Sequence, residues 1–399
     1  MDKKTTYILR DYQKVAVEAL VNKKEAGGWI LALPVGGGKS IIIAEATRQL
    51  NCPTLIICPS QEILKQDREK LLEYVDKNEI GTYSASLRSK VIKKFTLCTL
   101  GSVYRKPELF SHFGLIIIDE CDLIPEKGMF SKFRSKMYLL NGNDNLRVFG
   151  FTGSPWRMNP VKKFYGRVMR METSIKMLTD YPFWKDIIYS IDHWTLVKAG
   201  YITPLKVIQE IPLVPFEMLK ENGTDFSMRQ YNWQVSRSEI EVIRQIERAR
   251  EKYNRILVFC CGIEQADRLA PFIPGAEIVT SKTPAKDRTR IVDGFRKGEP
   301  KIVLNVGVLT MGFDLPELDL IILVRPTKSV RLFYQITGRA VRKSPTKLYG
   351  TLVDLTGTSK FIGSIESIRV RKLENGKWGL FTSTGRMDGK LLYSYEKEI

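Results

Sequence analysis

Trp29-Ile30-Leu31-Ala32-Leu33-Pro34-Val35-Gly36-Gly37-Gly38-Lys39-Ser40 passes from an apolar run into a glycine-rich turn, and the amphipathic stretch 41–50 follows at once. A short apolar run bounded by turn residues predicts a strand buried on both faces, and the period of the next stretch predicts a helix. A turn between such a strand and a helix N-terminus is where backbone N–H groups can cradle an anion. Pro34 and Val35 enter the turn, and Gly36, Gly37 and Gly38 let the backbone approach phosphates closely. Lys39 supplies a point charge to terminal phosphates, and the Ser40 hydroxyl can bind Mg2+. Leu33 stands where the full G-x-x-x-x-G-K-[ST] pattern has glycine.

The same alternation extends outward. Apolar runs at 29–33, 54–58, 95–98, 115–118 and 148–151 alternate with helix-length stretches, which predicts one α/β domain with a parallel sheet. A second series restarts at 256–260 and continues through 277–279, 302–305, 318–324 and 348–353, with helices expected near 264–270 and 288–296. Residues 159–250 are mixed in character and predict a partly structured connector. Beyond residue 356 the pattern changes to strands at 368–373, 377–384 and 390–395, with Asn375-Gly376 and Asp388-Gly389 as hairpin turns. The expected organisation is a first α/β domain over 1–165, a connector over 166–204, a second over 205–358 and a small C-terminal β appendage over 359–399.

Composition narrows the partner. The 399 residues carry 63 Lys+Arg against 44 Asp+Glu, a formal charge of +19, and a field of that sign attracts phosphate chains. Nucleic acid is the expected polyanion. No apolar stretch approaches the roughly 18 residues of a membrane span, and the charged start lacks a signal peptide's apolar segment. A soluble cytoplasmic protein without a membrane partner is expected. The six cysteines include no C-x-x-C pair and only two histidines accompany them, so they read as small reduced hydrophobes.

Two further clusters carry chemistry. The run 115–118 ends in Asp119-Glu120, which puts two carboxylates at the carboxyl end of a strand, where open α/β sheets bind ligands. Asp119 would hold Mg2+ and Glu120 would orient or deprotonate an attacking water. Gln335, Arg339 and Arg342 fall at i, i+4 and i+7 and would share one face of a helix. Planar, permanently charged guanidiniums suit the charge that develops on a transferring phosphoryl group.

Taken in chain order, these segments resemble the motifs of superfamily 2 helicases and translocases, in which two tandem RecA-like lobes use ATP and Mg2+. The resemblance runs to about residue 356. It implies that Arg10 and Gln13, in Leu9-Arg10-Asp11-Tyr12-Gln13, read adenine. It implies nucleic-acid contacts for Pro59, Ser60 and Gln61, for Thr99, Gly101 and Ser102, and for Thr280 and Thr310. Thr152 and Ser154 would couple hydrolysis to movement, and Gly312 and Asp314 would face the nucleotide. Within the superfamily the segments 83–87 (YSASL), 198–204 (KAGYITP), 305–314 (NVGVLTMGFD) and 325–330 (RPTKSV) resemble those of the RadD-like branch, related to type I and III restriction helicase subunits and phage branch-migration motors. The chain departs from that pattern at Val35, usually Thr, and lacks the branch's cysteine-rich C-terminal region. The resemblance implies an ATP-dependent helicase or translocase on single-stranded, forked or branched DNA rather than RNA. It would work in replication, recombination or repair, with a replication or repair protein as possible partner, in a bacterial cytoplasm or as a phage protein there. The alternatives are a branched-DNA remodelling or annealing motor without processive unwinding, an RNA helicase, and an ATP-switched nucleic-acid-binding adaptor.

Overall fold

The computed structural model describes residues 8–125, 127–142, 145–165, 168–222, 225–310, 314–383, 385–386 and 391–398. The chain forms two compact units. Unit 1 gathers Met1–Arg157, Met177–Ile191 and Leu373–Trp378, and unit 2 gathers Met158–Lys176, Asp192–Lys372 and Gly379–Ile399.

Unit 1 is built on strands β1 (Gly27–Ala32), β2 (Thr54–Cys58), β3 (Ile80–Ser84), β4 (Ser89–Val91), β5 (Phe95–Thr99), β6 (Leu115–Asp119) and β7 (Arg147–Thr152). Two long strands follow, β8 (Trp156–Tyr165) and β9 (Val168–Met177), and then β10 (Trp184–Ser190), which returns to the first sheet. Its order is β10-β1-β7-β6-β2-β5-β3-β4, parallel throughout except for the β3–β4 hairpin. Every residue of β1, β2 and β6 is buried, as expected of parallel strands covered on both faces. The strand order has a consequence for chemistry. The turns after β1, β7, β6, β2 and β5 leave from neighbouring strands at one rim, so segments far apart in sequence meet there.

Unit 2 carries its own parallel sheet of β11 (Leu205–Gln209), β14 (Ile256–Phe259), β15 (Ala276–Val279), β16 (Ile302–Asn305), β17 (Leu320–Leu323) and β18 (Gly350–Asp354). The order is β11-β18-β17-β14-β16-β15. Before β14 lies a two-stranded hairpin of β12 (Glu221–Asn222) and β13 (Asp225–Phe226). The helix Glu239–Arg250 buries Val242, Ile246 and Ala249, one apolar stripe at helical spacing, against β14, β16 and β17.

The remaining strands are β19 (Arg369–Lys372), β20 (Trp378–Thr382), β21 (Gly385–Arg386) and β22 (Leu391–Glu398). The Asn375-Gly376 turn forms as expected, with Gly376 at φ 79° and Leu373 N–H donating to the Lys377 carbonyl. Asp388-Gly389 lies outside the described residues. The expected single β appendage divides: β19, β20 and β21 form one sheet, while β22 pairs antiparallel with β9 in a second, ordered β22-β9-β8. The connector also differs from expectation, because β10 falls within 166–204 yet is an edge strand of the first sheet. Its pairing with β1 is a long-range choice that local period cannot reveal.

Among the described residues all six cysteines are free, five of them buried, and no helix is long and apolar enough to cross a membrane.

Candidate functional site

The phosphate-loop geometry begins with backbone strain placed on glycine. Gly36 and Gly38 have φ of 80° and 72°, and Gly38 caps the helix Lys39–Leu50 in a left-handed conformation that side chains rarely adopt. A Cβ on Gly38 would sit 2.5 Å from Gln13 Nε2, and one on Gly37 would sit 2.9 Å from the Pro34 carbonyl oxygen. Pro34 accepts from Gly37 N–H, closing the turn, while Val35 is buried beneath it. The Tyr12 hydroxyl donates to the Gly37 carbonyl at 3.0 Å, so the segment 9–13 is fastened to the loop. Gln13 is buried, and its Oε1 accepts from Arg10 N–H at 3.0 Å, which caps the helix Asp11–Asn22.

Lys39 Nζ lies 2.7 Å from Glu120 Oε1, with both side chains about one-tenth exposed. Burial works against the Lys39 charge, but the Glu120 and Asp119 carboxylates outweigh it and hold the ammonium above its ordinary value. Glu120 itself has φ 49° and ψ 54°, a left-handed backbone uncommon for a non-glycine residue and typical of functional turns. Asp119, at the end of β6, is 5% exposed, and its Oδ1 is buried with no hydrogen-bond partner among the described residues. Burial, then the neighbouring Asp67 and Glu120 carboxylates, push its pKa well up. An orphaned carboxylate oxygen beside the Ser40 loop suits a hard divalent cation, which takes oxygen lone pairs. The residues present therefore fit Mg2+. Among the described residues no three His, Cys, Asp or Glu side chains converge into a ready-made cage. That accords with a cation completed by phosphate oxygens and water.

Sequence reasoning missed Asp67 and Arg157, and it read Asp122 only as part of the acidic run Asp119-Glu120-Cys121-Asp122. Asp67, on the helix Gln61–Leu72, accepts the Ser40 hydroxyl at 2.6 Å through Oδ1 and the Cys58 thiol at 3.5 Å through Oδ2; burial raises its pKa to about 6. Asp122 accepts the Thr152 hydroxyl at 2.6 Å and the Ser154 hydroxyl at 3.2 Å, tying the turn after β7 to the turn after β6. Arg157 closes the same junction by donating to the carbonyls of Asp122 at 2.8 Å, Cys121 at 3.2 Å and Ile124. Its place just after Thr152-Gly153-Ser154-Pro155 was the only signal available, and nothing marked Asp67.

The expected strand-contacting residues of unit 1 lie on the same rim. Pro59 is exposed, Ser60 caps the helix Gln61–Leu72 by accepting from Ile63 N–H, and Gln61 opens that helix half-buried. Thr99 and Ser102 share a 2.9 Å hydrogen bond, and Ser102 Oγ accepts from Ala85 N–H. Gly101 is exposed with open space where a Cβ would stand, so packing within the chain does not require glycine there.

In unit 2 the arginines sit differently from expectation. The helix Val330–Thr337 contains Gln335, which is buried, but ends before Arg339 and Arg342, so the three do not share a helical face. At its end the Arg339 and Ala340 N–H groups donate to the Ile336 and Thr337 carbonyls, three residues back rather than four, and beyond it the Ala340 and Val341 carbonyls accept from Lys347 and from Thr203 N–H. Arg339 instead donates through Nε to the Thr310 carbonyl at 3.0 Å, and Arg342 pairs with Asp314. Arg339 is thus joined to Thr310, and Arg342 to Asp314. Thr280 lies apart in sequence, after β15, where its hydroxyl accepts from Lys282 N–H. Gly312 lies outside the described residues.

Comparison with known proteins gives the class. Residues 6–157 match the family described as type III restriction enzyme, res subunit, and residues 238–344 match the helicase conserved C-terminal domain. The chain therefore joins a ResIII domain to a helicase C-terminal domain, the domain pair of the superfamily 2 helicases. It is 26% identical over 88% of its length to a Saccharomyces cerevisiae protein, IRC3, named as a candidate ATP-dependent helicase, and covers 52% of that protein. It is also 26% identical to the DNA 3'-5' translocase XPB2 of Sulfurisphaera tokodaii, over 88% of this chain and 83% of that protein. The DNA 3'-5' helicase XPB of Mycobacterium tuberculosis is 26% identical over 80% of this chain, which spans 55% of it. The chain thus spans about half the length of several curated relatives it matches. Among solved structures, the DNA-bound restriction-modification enzyme LlaBIII matches with a TM-score of 0.63 at 16% identity, over 89% of this chain and 28% of that one. Dbp5 of S. cerevisiae, bound to RNA and ADP BeF3, matches with a TM-score of 0.56 at 13% identity, over 88% and 87%. At these identities the structural likeness shows the fold, a tandem RecA-like α/β architecture with parallel sheets.

Proposed function

We propose that this chain hydrolyses ATP to ADP and phosphate and uses the cycle to move along or unwind DNA. The single observation that carries the reading is the arrangement at the β1 and β6 strand ends: Lys39 against Glu120, with Ser40 and the orphaned Asp119 oxygen beside them. Lys39 exchanges Glu120 for the terminal phosphates when nucleotide binds. Glu120, released, then orients a water for attack on the γ-phosphorus and takes its proton as the bond to the bridging oxygen breaks. Ser40 and Asp119 are the residues that would hold Mg2+, which would supply positive charge to the phosphates. Arg10 and Gln13 accept the adenine, Gly312 and Asp314 contribute to nucleotide binding, and Arg339 and Arg342 stabilise charge on the transferred group. Thr152 and Ser154, tied to Asp122, relay the state of the acidic turn to the rest of the rim.

The charge of +19 and the hydroxyl and backbone donors at 59–61, 99–102, Thr280 and Thr310 support a grip on phosphates, independent of base sequence and weakened by salt. DNA is favoured over RNA because relatives covering most of this chain are named as DNA translocases and helicases. On this reading the chain works in replication or repair within a cytoplasm, with a protein of that machinery as partner.

The test is steady-state ATP turnover without nucleic acid and with single-stranded DNA, blunt duplex, forked DNA or single-stranded RNA, using Lys39→Ala as the blank. Stimulation by DNA, greatest with forks, is expected. Stimulation by RNA alone would overturn the substrate assignment, and no stimulation by any of them would favour an ATP-switched binding protein.

A further inference from the structure

The Ser40 hydroxyl of the phosphate loop has its hydrogen-bond partner on another element, the helix Gln61–Leu72. It donates to Asp67 Oδ1 at 2.6 Å, across 27 residues of sequence. Asp67 is 3% exposed, and its other oxygen accepts from Cys58 at 3.5 Å, so the carboxyl group is held at both ends between β2 and the phosphate loop. Asp119 Oδ1, meanwhile, has no hydrogen-bond partner among the described residues.

We propose that Asp67 is a positioning residue for the phosphate loop, taking the Ser40 proton so that the Ser40 oxygen presents its lone pairs to the cation accompanying the nucleotide. The argument is one of valence. A hydroxyl has one proton and two lone pairs, and a hard cation takes only the latter. If the proton rotated toward the cation side, Ser40 would present the wrong pole. Asp67 fixes the rotor, and Asp119 keeps an unshared oxygen for the cation or its water. Because no acidic or histidine cage is prebuilt among the described residues, orientation of the few protein oxygens present matters correspondingly more.

This inference rests on the ATP reading above, and the experiment separates the two. A fluorescent, non-hydrolysable ATP analogue is titrated with Mg2+ on the full chain for wild type, Asp67→Asn, Ser40→Ala and the double variant, with thermal melting of each. Asp67→Asn is expected to raise the half-saturating Mg2+ by about 10–100-fold, the range typical of groups that orient metal ligands. Analogue binding in EDTA and cooperative melting are expected to persist. In the Ser40→Ala background, Asp67→Asn should add nothing, since the two act through one hydrogen bond. A wild-type Mg2+ requirement in Asp67→Asn, or effects that add fully in the double variant, would overturn the proposal while leaving the ATP reading in place. Absence of Mg2+-dependent analogue binding by wild type would overturn both. If Asp67→Asn does not fold, Asp67→Ala is read against the same outcomes.

Discussion

The Lys39 ammonium and the Glu120 carboxylate lie 2.7 Å apart, one at the head of the phosphate-loop helix and the other just past the end of β6. Each is the other's counter-charge in a largely buried site, so neither can be altered without exposing its partner. Glu120→Gln is expected to keep nucleotide binding and lose about 10²–10⁴-fold in hydrolysis, the range for a general base. Lys39→Ala should abolish turnover. Single-turnover hydrolysis alongside nucleotide binding checks both, and unchanged hydrolysis in Glu120→Gln would remove that residue from the chemistry.

Arg157 secures the acidic turn by its backbone. Replacing it with Ala leaves the carbonyls of Cys121, Asp122 and Ile124 without their charged donor, at a cost of about 2 kcal/mol. Chemical denaturation should register that loss, and turnover should fall because Glu120 sits in the turn being held. Arg157→Lys, which keeps the charge but not the fork, should recover little of either.

Arg339 is 6% exposed and bound to the Thr310 carbonyl, so its loss is felt by the segment expected to touch nucleic acid as well as by the nucleotide. Arg339→Ala is expected to lose about 10³-fold or more in DNA-stimulated hydrolysis while melting cooperatively. Wild-type turnover in that variant would deny it the proposed role.

Gly150 on β7 shows where packing alone demands a residue. A Cβ there would lie 2.5 Å from the Trp184 ring and 2.6 Å from Cys121 Sγ. Gly150→Ala should destabilise unit 1 by about 1–3 kcal/mol through overpacking. Equilibrium denaturation is the measurement, and stability equal to wild type would show that Trp184 can yield.

His193 is buried, and neither ring nitrogen has a hydrogen-bond partner among the described residues. Burial, aided by the Arg369 charge, pushes its pKa down to about 4. Its native value lies below the unfolded value, so the unfolded chain binds the extra proton. Stability from this group is complete above about pH 6.5 and is lost as pH falls toward 4, by about 3 kcal/mol in all. His193→Phe should flatten the stability profile in that window, and an unchanged slope would assign the acid sensitivity to other groups.

Much of the fold was legible because its signals are local. Four to six apolar residues followed by a turn define a buried parallel strand wherever they occur, and β2 and β16 fall at the predicted bounds. The same logic put Lys39, Glu120 and Thr152 at strand ends, since the residues that leave a strand are its immediate sequence neighbours. The i, i+4, i+7 spacing of Gln335, Arg339 and Arg342 misled for the opposite reason. Spacing describes a face only while the helix lasts, and carbonyls engaged by Lys347 and Thr203 accompany its end at Thr337.

By itself the sequence determined the inventory: two alternating α/β series, a glycine turn able to bear positive φ, carboxylates at a strand end, and an excess of positive charge. These follow from backbone sterics, hydrophobic period and composition, each acting over a few residues or summed over all of them. Long-range packing set the rest: β10 joins the first sheet, β22 pairs with β9, Arg157 holds the acidic turn, and the Ser40 hydroxyl donates a hydrogen bond to Asp67. Those are choices among many distant partners, settled by which strands lie side by side and which polar groups must be satisfied once burial has removed them from water.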